Sequence, residues 1–484
     1  GNAGLVNSLI LVLVASLVSI LTTMSLSAIA TNIHVKGGGA YYLISRTLGV
    51  QYGGAIGLVL FAAQAISIAF YAIGFGEAVQ AILPDTMKAS SQAIALGSVL
   101  FLFGLAWLGA DWATKFQYIV MGLLTFALAS FFIGSISAWD MGQAAANIRA
   151  PENGLPFWVL FAIFFPAVTG FTQGVNMSGD LKDPGRAIPV GTFLAVGLST
   201  LIYFLVVILF SGAMPNATLM ADYTAMKQVS RVPWMIDAGV ISATLSSAMA
   251  SFLGAPRILQ SIAKDRIFKS LDVFAKGSGV TDNPRRGVLL AGLIAVLTIS
   301  LGQLNLIARV VSMFFLISYG LINYATFFEA RAASPSFRPR FRWFSPWLSL
   351  AGFIICAGAV LAIDINSGIM AICILLAIYQ YLKHRPGPAR WADSRRSNYL
   401  QQVKANLHLA SSEPEHDRDW RPFILAFTND SPRLTYLLDF CQWLEGRSGM
   451  TAAVRIIEGE GIKLKAEQEK AFKSLTANIQ AMES

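Results

Sequence analysis

Residues 161–180 begin as an apolar helix and then carry Pro166, Gly170 and Gly174, which interrupt helices. Proline removes a backbone donor and clashes with the preceding turn, and glycine weakens a helix further. A break at membrane depth leaves backbone groups that hydrocarbon cannot satisfy, so it persists where it lines a cavity or meets a ligand. At such breaks the amides of a half-helix face anions and unwound carbonyls face cations. The pattern favours an ion-binding broken helix over its alternative, a proline-kinked helix without a ligand.

Hydroxyl groups inside other apolar segments extend this hypothesis. Tyr71 lies within an apolar run, and its hydroxyl needs either a neighbouring helix or a ligand as partner. Residues 241–251 combine serine and threonine with small residues, a composition common at helix interfaces. The same oxygens are ligands that hard cations prefer, so both interpretations remain open. The centres of the apolar runs contain no Asp or Glu, which argues against a proton relay and fits a substrate whose charges cancel.

These residues must be positioned by membrane-spanning helices. Of the 484 residues, 55% are hydrophobic and 13% are charged, whereas soluble domains carry roughly 25% charged residues. Apolar segments near the length of a spanning helix predict an all-α polytopic membrane protein. The eleven predicted spans are 5–33, 50–80, 90–109, 116–138, 157–180, 189–213, 233–256, 287–304, 306–328, 346–363 and 366–382. The run Ala255-Pro256-Arg257 predicts the end of the helix before it.

The loops between the spans predict the topology. If the first span runs from outside to inside, the inside loops carry 16 Lys and Arg residues and the outside loops carry 4. The positive-inside rule then places everything after Lys383 in the cytoplasm. The net charge of +9 is therefore explained by basic loops on one side of a membrane, and no nucleic-acid partner is expected. The chain opens at Gly1 without an initiator Met, which predicts that the numbering begins inside a larger protein.

The C-terminal part has a different composition. Residues 384–420 are polar and predict a linker with a short helix near 395–409, which follows a membrane domain over 1–383. Residues 421–484 predict the start of a cytoplasmic α/β domain with a docking or regulatory role. Its predicted elements are a strand at 423–427, a helix at 431–446, a strand at 452–457 and a helix at 463–482.

Enzymatic chemistry has little support in the sequence. The chain contains neither a GxGxxG nor a Walker motif, and no nucleophile–base pair stands out. Its three cysteines are too few and too scattered for a disulfide framework or a metal site. The sequence therefore predicts a protein that is not an enzyme and needs no cofactor.

Several long motifs resemble the cation–chloride cotransporters, over about residues 1–460. The first is the broken-helix run from Phe161 through Ser178-Gly-Asp-Leu-Lys-Asp-Pro184. The others are Ser25-Leu-Ser-Ala-Ile-Ala-Thr-Asn32, Lys36-Gly-Gly-Gly-Ala-Tyr41, Ser242-Ala-Thr-Leu-Ser-Ser247, Phe314-Phe-Leu-Ile-Ser-Tyr319 and Arg421-Pro422. The resemblance implies the amino acid–polyamine–organocation fold, which has two inverted five-helix repeats and two further helices. It also implies a cytoplasmic α/β domain and, in many members, a homodimer. Since the family has twelve spans, the resemblance implies that this chain starts where the first one ends.

The resemblance also implies ion sites at matching positions. A potassium site would use the Tyr71 hydroxyl and oxygens at Pro166 and Thr169. The implied sodium site consists of the Ala243 carbonyl with the hydroxyls of Ser246 and Ser247.

Chloride would bind at the backbone amides of Gly170, Phe171 and Thr172, and a second chloride at Tyr319. Potassium–chloride members differ at the paired serines and sodium–chloride members differ at the Tyr71 position. This chain is therefore similar to the sodium–potassium–chloride type, although Phe171 and Thr172 replace smaller aliphatic residues.

The main functional hypothesis is symport of sodium, potassium and chloride by alternating access. One alternative is an amino-acid permease on the same scaffold, which would need a pocket for a side chain. The other is a membrane subunit that regulates a partner without transporting.

Overall fold

A computed structural model describes most of the chain, in two units, residues 1–401 and 402–484. The described residues are 1–32, 39–48, 50–84, 90–108, 110–176, 181–222, 224–279, 282–302, 304–332, 337, 339–383, 394–414, 421–427, 431–446, 448–457, 464 and 467–476. The helices of the first unit are α1 Gly4–Asn32, α2 Gly39–Leu48, α3 Val50–Gln80, α4 Ser91–Leu108, α5 Ala110–Ser137, α6 Met141–Ala146, α7 Phe157–Phe164, α8 Gln173–Asn176, α9 Pro184–Ala213, α10 Asn216–Ala221, α11 Ala225–Val229, α12 Pro233–Lys264, α13 Arg285–Leu301, α14 Leu304–Arg331, α15 Pro346–Ile363 and α16 Ile365–Lys383. Helix α17, Ser394–Ser412, crosses the boundary between the units.

The all-α polytopic prediction is confirmed. Within the described residues, eight helices are long and apolar enough to cross a membrane. They lie at Gly4–Asn32, Gly53–Gln80, Ser91–Leu108, Phe116–Ser137, Pro184–Ala213, Pro233–Lys264, Leu304–Arg331 and Pro346–Ile363. Helices α13 and α16 also lie at predicted spans, and the described part of the remaining predicted span, residues 157–176, is an interrupted helix.

The predicted helix end at Pro256 is wrong, because α12 continues through this proline to Lys264. Ile258, Leu259 and Ile262 follow at helical spacing and are fully buried. Their burial against the rest of the core outweighs the local cost of proline in a helix. Helix α12 therefore reaches the same face of the protein as α2.

A buried polar network joins α14 to α1 and α15. The Asn323 amide nitrogen donates to Thr22 Oγ1 and to the Tyr319 carbonyl, both at 3.0 Å, and Asn323 Oδ1 accepts from Ser25 Oγ at 2.6 Å. Ser25 and Ser349 hydroxyls lie 2.8 Å apart. All the side chains of this network are buried, so the bonds fix how these three helices pack.

A second polar cluster ties α2 to the C-terminal end of α12. Arg46 makes a two-point contact with Asp265, at 2.9 and 3.2 Å, and the Tyr41 hydroxyl donates to the same carboxylate. Burial, the neighbouring Asp265 charge and the hydrogen bond to it all raise the pKa of Tyr41. Burial alone would lower the pKa of Arg46, but its bond to Asp265 and the charge there raise it on balance.

The second unit contains a parallel pair of strands, β1 Phe423–Phe427 and β2 Met450–Val454, joined by α18, Ser431–Glu445. Strand β2 begins two residues earlier than expected, and residues 467–476 are helical. The four buried residues at the centre of this unit are Ala426, Leu434, Leu438 and Cys441.

Three sequence expectations fall outside the described residues. They concern the glycine run after Lys36, the segment 177–180, and the linker residues 384–393 and 415–420.

Candidate functional site: a cavity at the broken helix

The predicted break has a defined geometry. Helix α7 tightens into a 3₁₀ turn at Phe165–Val168, and the backbone is then extended at Thr169, with φ −87° and ψ 179°. Gly170 follows with φ +93°, a conformation that residues with a Cβ rarely adopt. Short helix α8 begins at Gln173. A Cβ at Gly170 would meet no atom within 4 Å, so backbone conformation is the reason for glycine here.

Side chains from three other helices satisfy carbonyls of the first half-helix. Ser312 on α14 donates to the Ala162 carbonyl at 2.6 Å, and Ser19 on α1 donates to the Val168 carbonyl at 3.0 Å. Tyr203 on α9 donates to the Ala167 carbonyl at 2.7 Å. These bonds supply the partners that a broken helix at membrane depth requires.

A cavity of about 340 Å³ lies beside the break. Its lining includes Tyr71 from α3, Thr169 and Gly170 from the break, and Ser246 and Ser247 from α12. The structure thus brings residues of the implied potassium and sodium sites around one space. Ala243 and Pro166 do not line this cavity, although the Pro166 carbonyl accepts the Thr169 hydroxyl at 2.7 Å.

Three glutamines in the same cavity were missed by the sequence reasoning. Gln117 on α5 accepts a hydrogen bond from the Ser246 hydroxyl, and Gln173 Nε2 donates to Gln64 Oε1 at 3.0 Å. Gln64 is fully buried, and its Nε2 has no hydrogen-bond partner among the described residues. The missed signal was a polar carboxamide inside an apolar span. Burying such a group costs free energy unless a hydrogen-bond partner or a ligand satisfies it.

A second cavity, of about 220 Å³, lies between the break, α1 and α9. Thr169 and Gly170 also line this cavity, together with Phe171 and the hydroxyl residues Ser16 and Ser19. Thr169 and Gly170 therefore contribute to both cavities.

Tyr319, the residue that the resemblance implies for the second chloride, is buried next to the break. It is 1% exposed, and its ring packs against Phe165, Phe171 and Phe315. Its hydroxyl lies near the Gly170 backbone and the Thr172 side chain, outside hydrogen-bonding geometry. Among the described residues this buried donor has no partner, which is costly in a protein interior. Tyr319 and Thr172 line neither of the two cavities.

A bundle of apolar helices around a broken helix and a polar cavity defines the class of multi-pass membrane proteins, and secondary transporters place their substrate sites at such breaks. A family model described as amino acid permease matches residues 1–426. The chain belongs to the amino acid permease family.

Curated relatives carry the name solute carrier family 12. Member 2 from Squalus acanthias is 36% identical over 498 residues, which cover 90% of this chain and 42% of the relative. Member 1 from Mus musculus is 34% identical over 516 residues, covering 95% of this chain and 47% of the relative. Member 2 from Homo sapiens is 34% identical over 500 residues, covering 90% and 41%. The chain thus spans less than half the length of these relatives.

Proposed function

We propose that this protein is a secondary active symporter that couples sodium and potassium to chloride by alternating access. The observation that carries the proposal is the broken helix, whose Thr169 and Gly170 line the same cavity as Tyr71 and the paired serines of α12. Similarity to solute carrier family 12 proteins over 90% or more of this chain supports it.

Potassium is proposed to bind at the Tyr71 hydroxyl and at oxygens of Pro166 and Thr169. The C-terminal end of a half-helix carries partial negative charge, which favours a cation there. Sodium is proposed to bind at the Ala243 carbonyl and the Ser246 and Ser247 hydroxyls. No formal charge is needed at either site, because hard cations accept neutral oxygen ligands.

Chloride is proposed to bind at the amides of Gly170, Phe171 and Thr172 and at the Tyr319 hydroxyl. The buried hydroxyl of Tyr319, which has no hydrogen-bond partner among the described residues, supports the second position, because an anion would give this donor an acceptor. Phe171 packs on Tyr319 with ring centroids 5.1 Å apart, so its bulk sits beside the proposed anion.

The second unit is proposed to be a cytoplasmic regulatory domain, and the protein is proposed to form a homodimer in a cell membrane. The basic residues in the inside loops support a cytoplasmic location of the second unit. A protease added to sealed vesicles should cut the segment 384–420 only from the cytoplasmic side, and cleavage from the outside would reverse the topology.

Uptake of radiolabelled rubidium, standing in for potassium, tests the function in vesicles that hold the purified protein. Omitting sodium or chloride should each abolish uptake if the three ions are coupled. Ser246→Ala combined with Ser247→Ala should abolish the sodium requirement, whereas Thr169→Ala should weaken the dependence on rubidium.

Other outcomes distinguish the alternatives. Rubidium uptake that ignores both sodium and chloride would indicate a leak or channel. Uptake of labelled neutral amino acids in place of rubidium would favour a permease, for which the carboxamides of Gln64 and Gln173 offer hydrogen-bonding groups. Folded protein that transports neither would favour a regulatory subunit.

A further inference from the structure

A groove of about 690 Å³ opens where α1 ends, α9 begins and the chain approaches α15. Three arginines line it: Arg186 from the first turn of α9, and Arg340 and Arg342 from the segment before α15. All three are exposed. Because the groove lies at the ends of helices that are long and apolar enough to cross a membrane, we expect it at the depth of the lipid headgroups.

The three guanidinium groups have no carboxylate partner among the described residues. The nearby Asp183 instead caps α9, where its carboxylate accepts from the Arg186 backbone N–H at 3.4 Å. Three positively charged residues on one exposed groove favour an anion there, and water and salt screen their mutual repulsion when no anion is bound. Guanidinium also matches the geometry of phosphate oxygens better than an ammonium group does.

Aromatic rings form one wall of the groove. Phe341 stacks on Phe193 of α9 with centroids 5.4 Å apart, and Trp343 meets both rings edge-on at 6.0 to 6.2 Å. Trp343 is nevertheless 71% exposed. Tryptophan in this position is typical of the membrane–water interface, where one edge of the ring contacts lipid.

An apolar stripe leads away from the groove along α9. Val190 lines the groove, and Leu194, Leu198 and Leu201 follow it at helical spacing. These four side chains are 51 to 67% exposed, which in a membrane means that they face lipid chains. The groove therefore joins a site for an anion to a surface for acyl chains.

We propose that this groove binds the headgroup of an anionic phospholipid, with the phosphate between Arg186, Arg340 and Arg342 and the acyl chains along α9. The glycerol backbone then lies beside Trp343. The site is independent of the ion-binding cavity, and its test does not depend on transport.

The test is native mass spectrometry of the purified chain with equal amounts of phosphatidylglycerol and phosphatidylcholine that carry the same acyl chains. The wild-type protein should retain phosphatidylglycerol preferentially. Each arginine near the membrane surface contributes about fivefold in affinity, so Arg340→Gln with Arg342→Gln should weaken phosphatidylglycerol binding about 25-fold. Phosphatidylcholine binding should be unchanged.

A matched control removes two exposed lysines from the same predicted face, away from the groove. Lys269→Gln with Lys276→Gln should change phosphatidylglycerol binding less than twofold, because neither lysine lines the groove. Arg340→Lys with Arg342→Lys should bind phosphatidylglycerol more weakly than wild type but more tightly than the glutamine variant, because the charge is kept and the guanidinium geometry is lost.

The proposal would be overturned if phosphatidylglycerol binding fell equally in the Arg340→Gln and Arg342→Gln variant and in the Lys269→Gln and Lys276→Gln control. Equal losses would indicate a general effect of surface charge. Displacement of the lipid by millimolar inorganic phosphate would also overturn it, since the groove would then recognise a free anion. Retention in the presence of phosphate, with loss only in the Arg340→Gln and Arg342→Gln variant, supports the lipid site.

Discussion

The Asp265→Asn variant is expected to lower the free energy of unfolding of the membrane unit by about 2–3 kcal/mol. Asp265 accepts from both terminal nitrogens of the Arg46 guanidinium and from the Tyr41 hydroxyl. Asparagine keeps the shape of the side chain but removes its charge. The Arg46 guanidinium then remains in a mostly buried position and loses its two-point contact with the Asp265 carboxylate.

The neighbouring residue offers a matched control. Lys264 pairs with Asp282 at 2.5 Å, a shorter distance than the 2.9 Å between Arg46 and Asp265. Distance alone would therefore make the Lys264 pair the more important one. Its side chains are 50% and 54% exposed, however, against 19% and 11% for Arg46 and Asp265. Water screens exposed pairs, so Lys264→Gln should cost less than about 1 kcal/mol.

The measurement is reversible unfolding of the purified protein in mixed micelles, at low and at high salt. Raising the salt concentration should remove the effect of Lys264→Gln and leave most of the effect of Asp265→Asn, because buried pairs are screened less. A double-mutant cycle between Arg46→Gln and Asp265→Asn isolates the pair itself. Equal costs for Asp265→Asn and Lys264→Gln would refute the argument that burial decides the strength of these pairs.

Four further substitutions test the interior, one of them as a control. Asn323→Leu should lower the free energy of unfolding by about 1–2 kcal/mol, because two bonds between α14 and α1 are lost, whereas Thr326→Val should cost less than about 0.5 kcal/mol since its bond lies within α14. Tyr71→Phe should raise the half-saturating rubidium concentration about tenfold with the sodium dependence unchanged, and an unchanged rubidium dependence would remove Tyr71 from the site. Ser246→Ala should raise the half-saturating sodium concentration and remove the hydroxyl that donates to Gln117 Oε1, and sodium activation identical to wild type would contradict the sodium assignment.

The sequence by itself predicted the membrane class and most helices. Long apolar runs decide this locally, because a segment of about 20 apolar residues has no favourable alternative to a helix in the bilayer. The break at Pro166 and Gly170 was also predictable from the sequence, since proline and glycine each alter the conformation of their own backbone. The identity of the ligands remains a prediction that rests on matching motifs.

Tertiary structure decided how far α12 extends and which polar groups meet. Pro256 looked like a helix end because its local cost is visible in sequence, while the burial of Ile258 and Leu259 that offsets it is not. Gln64 and Gln173 are 109 positions apart and meet only because α3 packs beside the broken helix. Likewise, Arg186 and Arg340 share one groove because the ends of separate helices lie on the same face. Contacts over such separations depend on the packing of whole helices, which no local pattern of residues encodes.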